Sequence, residues 1–516
     1  MERAPRLKFI YLTRLAMVGL LVGTFSLHGR CAFLSGRPET APELYASPSS
    51  NLPWSPRKDD IRSIPSDDLK KGALIPKGFD LNSGAKRINE LINLALNSNP
   101  GLKAQWQKTR AEAAIYGMSY SRYYPRITYM SQGGYSRFMY SSIVPPGDDR
   151  LGSLNAQVGI EYSISEFGRR KAEVAASHAA LNAVNLDFNR KLQDVVFGVK
   201  QAFYALAAAQ EMVTAANVNL QFADTDLESV SDRMNRGLAT LPDFRFAQER
   251  KARAELDLDD AQARQAEAQA DLALAIGVPA DADLKVEALD KQEVPRSLGR
   301  ATASFIAEAL RSRPDLTAEA SRLKNREALS ARAEAEFRPT LSFGGYYNET
   351  QWWLNLHHPT PLPSMGSTPV QTPYYAEAQP FYSAMFTLKW DLFNGFRRHN
   401  DVRRSAAEKN VQKNILRLHE LGVIADVWRA YFVFTAMRQK YEDARKLWDA
   451  ASESYDAYNK SYREGLSNIV ELLAAQRDLA HARYAKILAT ADFLTASAAV
   501  DYSIGVSSGA FVDPAR

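Results

Sequence analysis

Ser153-Leu154-Asn155-Ala156-Gln157-Val158-Gly159-Ile160-Glu161-Tyr162-Ser163-Ile164 alternates, residue by residue, between small or polar and apolar side chains. That period of two belongs to an extended strand with one wet face and one apolar face. Further on, Ala384, Phe386, Leu388, Trp390 and Leu392 alternate with Ser383, Thr387, Lys389 and Asp391 in the same way. Shorter patterns open at Ile127 and Tyr129, and at Leu341, Phe343 and Tyr347. Two readings fit such a face: a sandwich strand on a protein core, or a barrel strand on lipid. Four strands cannot bury themselves, and Tyr162 and Trp390 suit a membrane interface, which favours lipid. No stretch after the N-terminus is apolar enough for a spanning helix, so strands would have to make the crossing.

Working outward, the strands sit inside an internal repeat. Ala95-Leu96, Ser98, Pro100, Leu102 and Pro125 recur as Ala309-Leu310, Ser312, Pro314, Leu316 and Pro339, at an offset of 214 (309 − 95). Arg169-Arg170, Gly237-Leu238, Gln248 and Ile276-Gly277-Val278 recur as Arg397-Arg398, Gly465-Leu466, Gln476 and Ile504-Gly505-Val506, at 228 (397 − 169). The difference of 14 falls between the paired strands, so the chain is two copies of one unit with unequal loops. Each copy reads helix, helix, strand, strand, very long helix, long helix. The longer loop, Trp352 to Pro380, contains His357-His358, read as loop residues because a metal site needs further ligands. Met130 and Met139 are too few for a copper pathway.

After each strand pair comes a proline-free run, Arg169 to Arg236 and Arg397 to Glu464, with one internal glycine each, Gly198 and Gly422. A helix of this length reaches about 100 Å, so it is a coiled-coil-like rod rather than an ordinary globular helix. Gly237 and Gly465 then reverse the rods, and Pro242 suits the first turn of a returning helix.

The N-terminus carries most of the net charge of +5: Arg3, Arg6, Lys8, Arg14 and Arg30 against Glu2 supply four of the five. Basic residues followed by the apolar run Leu15 to Leu27 form a secretory signal pattern. Cys31, the one cysteine, stands where an exported lipoprotein carries its acyl chain, although Leu27-His28-Gly29-Arg30 is a poor lipobox; it is a candidate lipidation site or a plain cysteine. With no second cysteine no intramolecular disulfide is expected. Pro38, Pro42, Pro48, Pro53, Pro56, Pro65 and Pro76 rule out long helix and central strand, leaving an extended strap. No basic stripe with interleaved aromatics points to nucleic acid. Seven histidines and one cysteine, without nucleophile elbow, phosphate loop or metal spacing, offer no enzyme chemistry, and neither cofactor nor metal is expected.

The expected fold is mainly α with a membrane β-barrel: a long helical barrel plus four strands per protomer. Four strands are below the eight of the smallest barrels, so oligomerisation is forced if they span a membrane, and three chains would give a barrel of three times four, or 12, strands. The chain resembles the TolC-like outer-membrane efflux family over roughly Ile88 to Val506. The residues that carry this are Arg233-Met234-Asn235-Arg236-Gly237-Leu238 and Tyr462-Arg463-Glu464-Gly465-Leu466, followed by Asp243 and by Ile469-Val470-Glu471-Leu472-Leu473. Trp390-Asp391-Leu392-Phe393-Asn394-Gly395 adds the strand-to-helix corner.

The resemblance implies a homotrimer embedded in outer-membrane lipid, whose tube crosses the periplasm to a periplasmic adaptor (membrane-fusion) protein and an inner-membrane pump of RND or ABC type. It places the adaptor-docking tips at Arg233, Gly237, Leu238, Arg463, Gly465 and Leu466, and a gate contact at Tyr462. Ser467 and Ala474 depart from relatives that place a gate arginine and a second acid there. Asp243 and Glu471 correspond across the 228 offset, and threefold symmetry would gather six carboxylates at the mouth; both acids also suit helix starts.

The expected organisation is a signal peptide at 1–30, a Pro-rich segment at 31–86 and a first repeat at 87–278 with strands near 126–137 and 153–165. A linker at 279–304 follows, belonging with a belt around the tube, then a second repeat at 305–506 with strands near 340–350 and 381–393, and a tail at 507–516. A soluble exported coiled-coil scaffold is the other functional reading.

Overall fold

In a computed structural model of the chain, the described residues are 46–47, 49–54, 84–140, 147–278, 280, 284–292, 299, 301–355 and 374–506. The side chains of 138–140, 147–150, 353–355 and 374–379 are not among them. The expected signal peptide, Cys31, most of the strap, His357-His358 and the 507–516 tail lie outside the described residues.

The first repeat runs α1 (Ile88–Ser98), α2 (Pro100–Ser119), β1 (Arg126–Tyr140), β2 (Gly147–Ser165), α3 (Arg169–Asn235) and α4 (Leu241–Ile276). The second runs α5 (Thr302–Ser312), α6 (Pro314–Ala335), β3 (Thr340–Asn355), β4 (Tyr374–Lys389), α7 (Arg397–Arg463) and α8 (Ile469–Ile504). The rods α3 and α7 have 67 residues each, close to the expected runs. None of the described helices is long and apolar enough to cross a membrane.

Two compact units divide the chain. Among described residues, the first comprises Ala114–Ala179 and Lys324–Asn410 and holds the sheet, ordered β1-β2-β3-β4 and antiparallel throughout. Directly opposed residues share a face. Ile127 and Tyr129 oppose Ile160 and Val158; Val158 and Tyr162 oppose Tyr347 and Phe343; these oppose Tyr382 and Phe386. The apolar alternations of four separate strands thus fall on one face. Ile127, Tyr382 and Phe386 are at least 70% exposed there, so nothing among the described residues covers them.

The strands outrun the expected bounds at their loop ends, reaching Tyr140, Gly147, Asn355 and Tyr374, because ladder pairing needs only backbone groups and does not depend on the side-chain alternation. At the other end β4 stops at Lys389, short of the expected 393. The Trp390 indole Nε1 donates to the Phe337 carbonyl (3.0 Å), and Arg398 takes the Asp391 carbonyl, which turns the chain into the corner before α7.

That corner explains the recurrent arginine pair. Arg170 donates to the carbonyls of Arg122 (2.8 Å) and Ser163 (2.9 Å), while Arg398 donates to those of Glu336 (3.2 Å) and Asp391. Each guanidinium also lies over an equivalent ring, Tyr123 at 4.1 Å and Phe337 at 5.0 Å. One charged fork therefore satisfies the last helical turn and the strand exit at the start of each rod.

The second unit takes its described residues from 43–113, 180–323 and 411–516. Its larger core gathers Leu91, Leu102, Phe188, Phe203, Leu206, Leu272 and Ile276, all fully buried, with Leu284, Val286 and Leu289 of the inter-repeat linker. Lys86 pairs with the linker through Lys86 N to Lys285 O (2.8 Å) and Glu287 N to Lys86 O (3.1 Å). The described part of the strap is anchored by Trp54, buried against Leu186 and Ala318, whose backbone N donates to Asn189 Oδ1 (2.7 Å).

Each returning helix ends on its own repeat in one manner. Ser98 Oγ donates to the Ile276 carbonyl (2.7 Å), and Ser312 Oγ to the Ile504 carbonyl (2.8 Å). Gly277, at φ 87°, passes so close that a Cβ would stand 2.8 Å from Asn99 Cα, which only glycine allows.

Candidate functional site at the helix reversals

Both rods end in the same reversal, within the second unit. At the first, Leu238 N donates to Arg233 O (2.7 Å) and Gly237 N to Met234 O (2.9 Å). At the second, Leu466 N donates to Ser461 O (2.8 Å) and Gly465 N to Tyr462 O (3.1 Å). This double bond pattern turns the chain through a left-handed residue, and Gly237 and Gly465 supply it at φ 74° and 76°. The leucine that follows has no inward direction available: Leu238 is 69% exposed and Leu466 78%. Arg233, Arg463 and both glycines are exposed with them.

Capping boxes start the returning helices. Thr240 N donates to Asp243 Oδ2 (2.9 Å) and Asp243 N to Thr240 Oγ1 (3.4 Å), with Pro242 in the first turn. Asn468 N donates to Glu471 Oε2 (3.3 Å), and Glu471 N to Asn468 Oδ1 (2.9 Å). The two acids stand at the third helical position, in the first turn of each returning helix. Each box satisfies two backbone N–H groups at the start of its helix. The Thr240 hydroxyl, then its backbone N–H, hold the Asp243 carboxyl below the usual carboxylate range. The carboxyl groups of Asp243 and Glu471 therefore sit five residues past the two exposed leucines.

The tips also meet. Arg233 of α3 donates Nη1 to the Tyr462 hydroxyl of α7, and its guanidinium carbon lies 5.4 Å from that ring's centre. Tyr462 is half-buried by the contact. The structure thus brings together Arg233 and Tyr462, which sequence reading kept in separate roles. It also has Arg250 of α4 donating Nη1 to the Leu473 carbonyl of α8, a contact sequence reading missed.

Comparison with known proteins follows the repeat. The family model described as outer membrane efflux protein matches residues 91–278 and 305–506. Protein CyaE of Bordetella pertussis is 26% identical over 426 residues, spanning 82% of this chain and 85% of that protein. Among solved structures, CusC is similar with a TM-score of 0.67 at 15% identity, covering 81% of this chain and 92% of its own. The outer membrane channel MtrE of Neisseria gonorrhoeae, in its open state, gives 0.66 at 18% identity, covering 84% and 98%. These two likenesses speak for the fold, and the family match takes in both strand pairs and both rods: the chain belongs to the outer membrane efflux protein family.

Proposed function

We propose that this outer-membrane exit duct for efflux or secretion works as a homotrimer, its three sheets closing into one 12-stranded barrel and its rods forming a tube across the periplasm. The observation that carries this is the sheet: four strands with one continuous apolar face, and β1 and β4 paired on one side only. Such edges need partners in a membrane, where an unpaired N–H or C=O costs several kcal/mol, and β4 of one copy can pair with β1 of the next. Sizing with mass determination in mild detergent is expected to give three chains, and the purified trimer to conduct in a planar bilayer. A stable membrane-inserted monomer would refute the barrel.

The reversals then form the periplasmic mouth. Leu238 and Leu466, with Arg233, Gly237, Arg463 and Gly465, make six tips per trimer that dock a periplasmic adaptor, itself bound to an inner-membrane pump. Exposed leucines on a rigid turn suit an apolar contact with a helical partner. Tyr462 and Arg233 hold the two tips of one protomer together, and Asp243 and Glu471 supply six carboxylates around the lumen. A ring of this kind concentrates cations and repels anions. In bilayer recordings Asp243→Asn with Glu471→Gln is expected to lower cation selectivity and relieve block by multivalent cations added from the periplasmic side. Unchanged selectivity and block would leave the acids with their capping role alone.

A further inference from the structure

Within the second unit the two repeats meet along an internal joint, where the end of α8 lies on α3. Tyr502 stacks on Phe197 with ring centres 4.7 Å apart and donates its hydroxyl to Asp194 Oδ1 (2.8 Å). Arg190 holds its guanidinium carbon 3.9 Å from the centre of the Tyr502 ring and donates Nη1 to the Tyr502 carbonyl (3.4 Å). Gln193 Nε2 donates to the Gly505 carbonyl (2.7 Å), just past the helix end. Farther back along α8, Ala491 and Leu494 are buried in the larger core with Phe203 and Leu206 of α3. One flank of α3 is thus covered by the other repeat.

The offset of 228 carries every member of this joint onto α7 and α4. Arg190, Gln193, Asp194 and Phe197 become Leu418, Leu421, Gly422 and Ala425, and Tyr502 becomes Leu274. All four α7 positions are exposed, Leu418 to 67%, and Leu274 is 77% exposed. Ala263 and Ala266, the counterparts of Ala491 and Leu494, are exposed as well. Both halves of a second joint are therefore present, and among the described residues neither is covered. A single exposed leucine is ordinary, but here a charged and polar set has become aliphatic at matching positions on both sides. Gly422 and Ala425 leave a shallow seat, since a Cβ on Gly422 would meet nothing within 4 Å.

We propose that a second copy of this chain fills that seat: α4 of one copy takes on α7 of the next the place that α8 takes on α3, with Leu274 set among Leu418, Gly422 and Ala425. The occupant follows from the repeat, because α4 is the counterpart of α8 and is absent from that flank of its own α7. The contact is head-to-tail, each copy giving α4 to one neighbour and α7 to the other, so it closes into a ring. The two joints also reject each other's occupant. Leu274 on α3 would take from Arg190 and Asp194 the ring and hydroxyl of Tyr502, and Tyr502 on α7 would find no partner for its hydroxyl. Polar chemistry thus marks the joint inside the chain and apolar chemistry the joint between chains. The inference rests on the trimer reading, and the two fail by different measurements.

The test uses the full chain with Cys31→Ser, extracted in mild detergent. Leu274→Cys with Ala425→Cys, treated with a short bismaleimide, is expected to run on a denaturing gel as a ladder ending at three chains, and either cysteine alone as one chain. Phe197→Cys with Tyr502→Cys is expected to close within the chain and leave a single-chain band. Leu418→Asp, at a position exposed in the single chain, is expected to lower the temperature at which the assembly separates into chains by about 5 °C. An assembly that sizes as three chains yet gives only single-chain bands from the Leu274–Ala425 pair, or a separation temperature unmoved by Leu418→Asp, overturns the joint and leaves the trimer standing. A single chain by sizing overturns the trimer, and the joint with it.

Discussion

Leu238→Asp combined with Leu466→Asp is expected to abolish export while trimer and membrane insertion persist. Neither leucine supports the fold: both are more than two thirds exposed, and the reversal is held by backbone bonds and by the glycine before each. In a docked complex the same leucines lose their water, and a carboxylate in that place must be desolvated without a partner, at about 1–3 kcal/mol per tip even by conservative scales. Two such tips per protomer sum over the ring, and Asp243 and Glu471 five residues on add repulsion between like charges. Accumulation of a pump substrate in cells producing the variant, alongside sizing of the extracted protein, measures both halves of the result. Normal export would remove the tips from the docking surface.

The second large effect is expected where the repeats differ most sharply in chemistry. Arg313, 5% exposed at the α5–α6 junction, grips Asp315 with two bonds (3.0 and 2.5 Å), reaches Asp426 of α7 (3.2 Å) and donates to the Ser503 carbonyl at the end of α8 (3.4 Å). In the first repeat the corresponding Asn99 keeps the carbonyl contact, to Ala275 (2.9 Å), and its Oδ1 accepts from Leu102 N (3.1 Å). Arg313→Leu removes the cation and leaves Asp315 with Arg190 at 3.8 Å and the Leu316 N–H at 2.9 Å, so unfolding free energy is expected to fall by about 3 kcal/mol at neutral pH. Arg313→Asn, which restores the first-repeat residue, recovers the carbonyl contact and part of the loss.

The pH dependence has a definite sign. Burial raises Asp315, but the Arg313 hydrogen bond and charge, with Arg190, outweigh it and leave the carboxyl below 3.8. A depressed acid contributes stability above its unfolded value and loses it as pH falls through the folded one. The gap between parent and Arg313→Leu is therefore full at neutral pH and narrows below pH 3.8. Denaturant titrations of the detergent-solubilised protein at several pH values check it. An equal gap at all pH values would separate Asp315 from the effect.

Much of the architecture was legible because two different periods were written twice. Alternation marked the strands, proline-free runs marked the rods, and constant offsets aligned the copies. The ends of elements were less legible. β4 stops at Lys389 although Trp390 and Leu392 continue the alternation, because Arg398 and the Trp390 indole draw the chain into a corner. Alternation records which face a side chain suits, and backbone groups claimed from elsewhere in the chain decide where pairing ends.

The duplicated order of elements, the strand faces, the left-handed glycines and the exposed leucines at the reversals were readable along the chain, because all of them depend on neighbours within a few residues. The capping role of Asp243 and Glu471 is equally local, since each bonds a residue three positions away. That Arg170 and Arg398 close the corners, that Arg233 meets Tyr462 across 229 residues, and that Arg250 reaches the Leu473 carbonyl follows from packing between distant segments. A charged side chain on a long helix reads the same in sequence whether it faces water or another helix. Its role is fixed only when packing removes the water and leaves another residue as its partner.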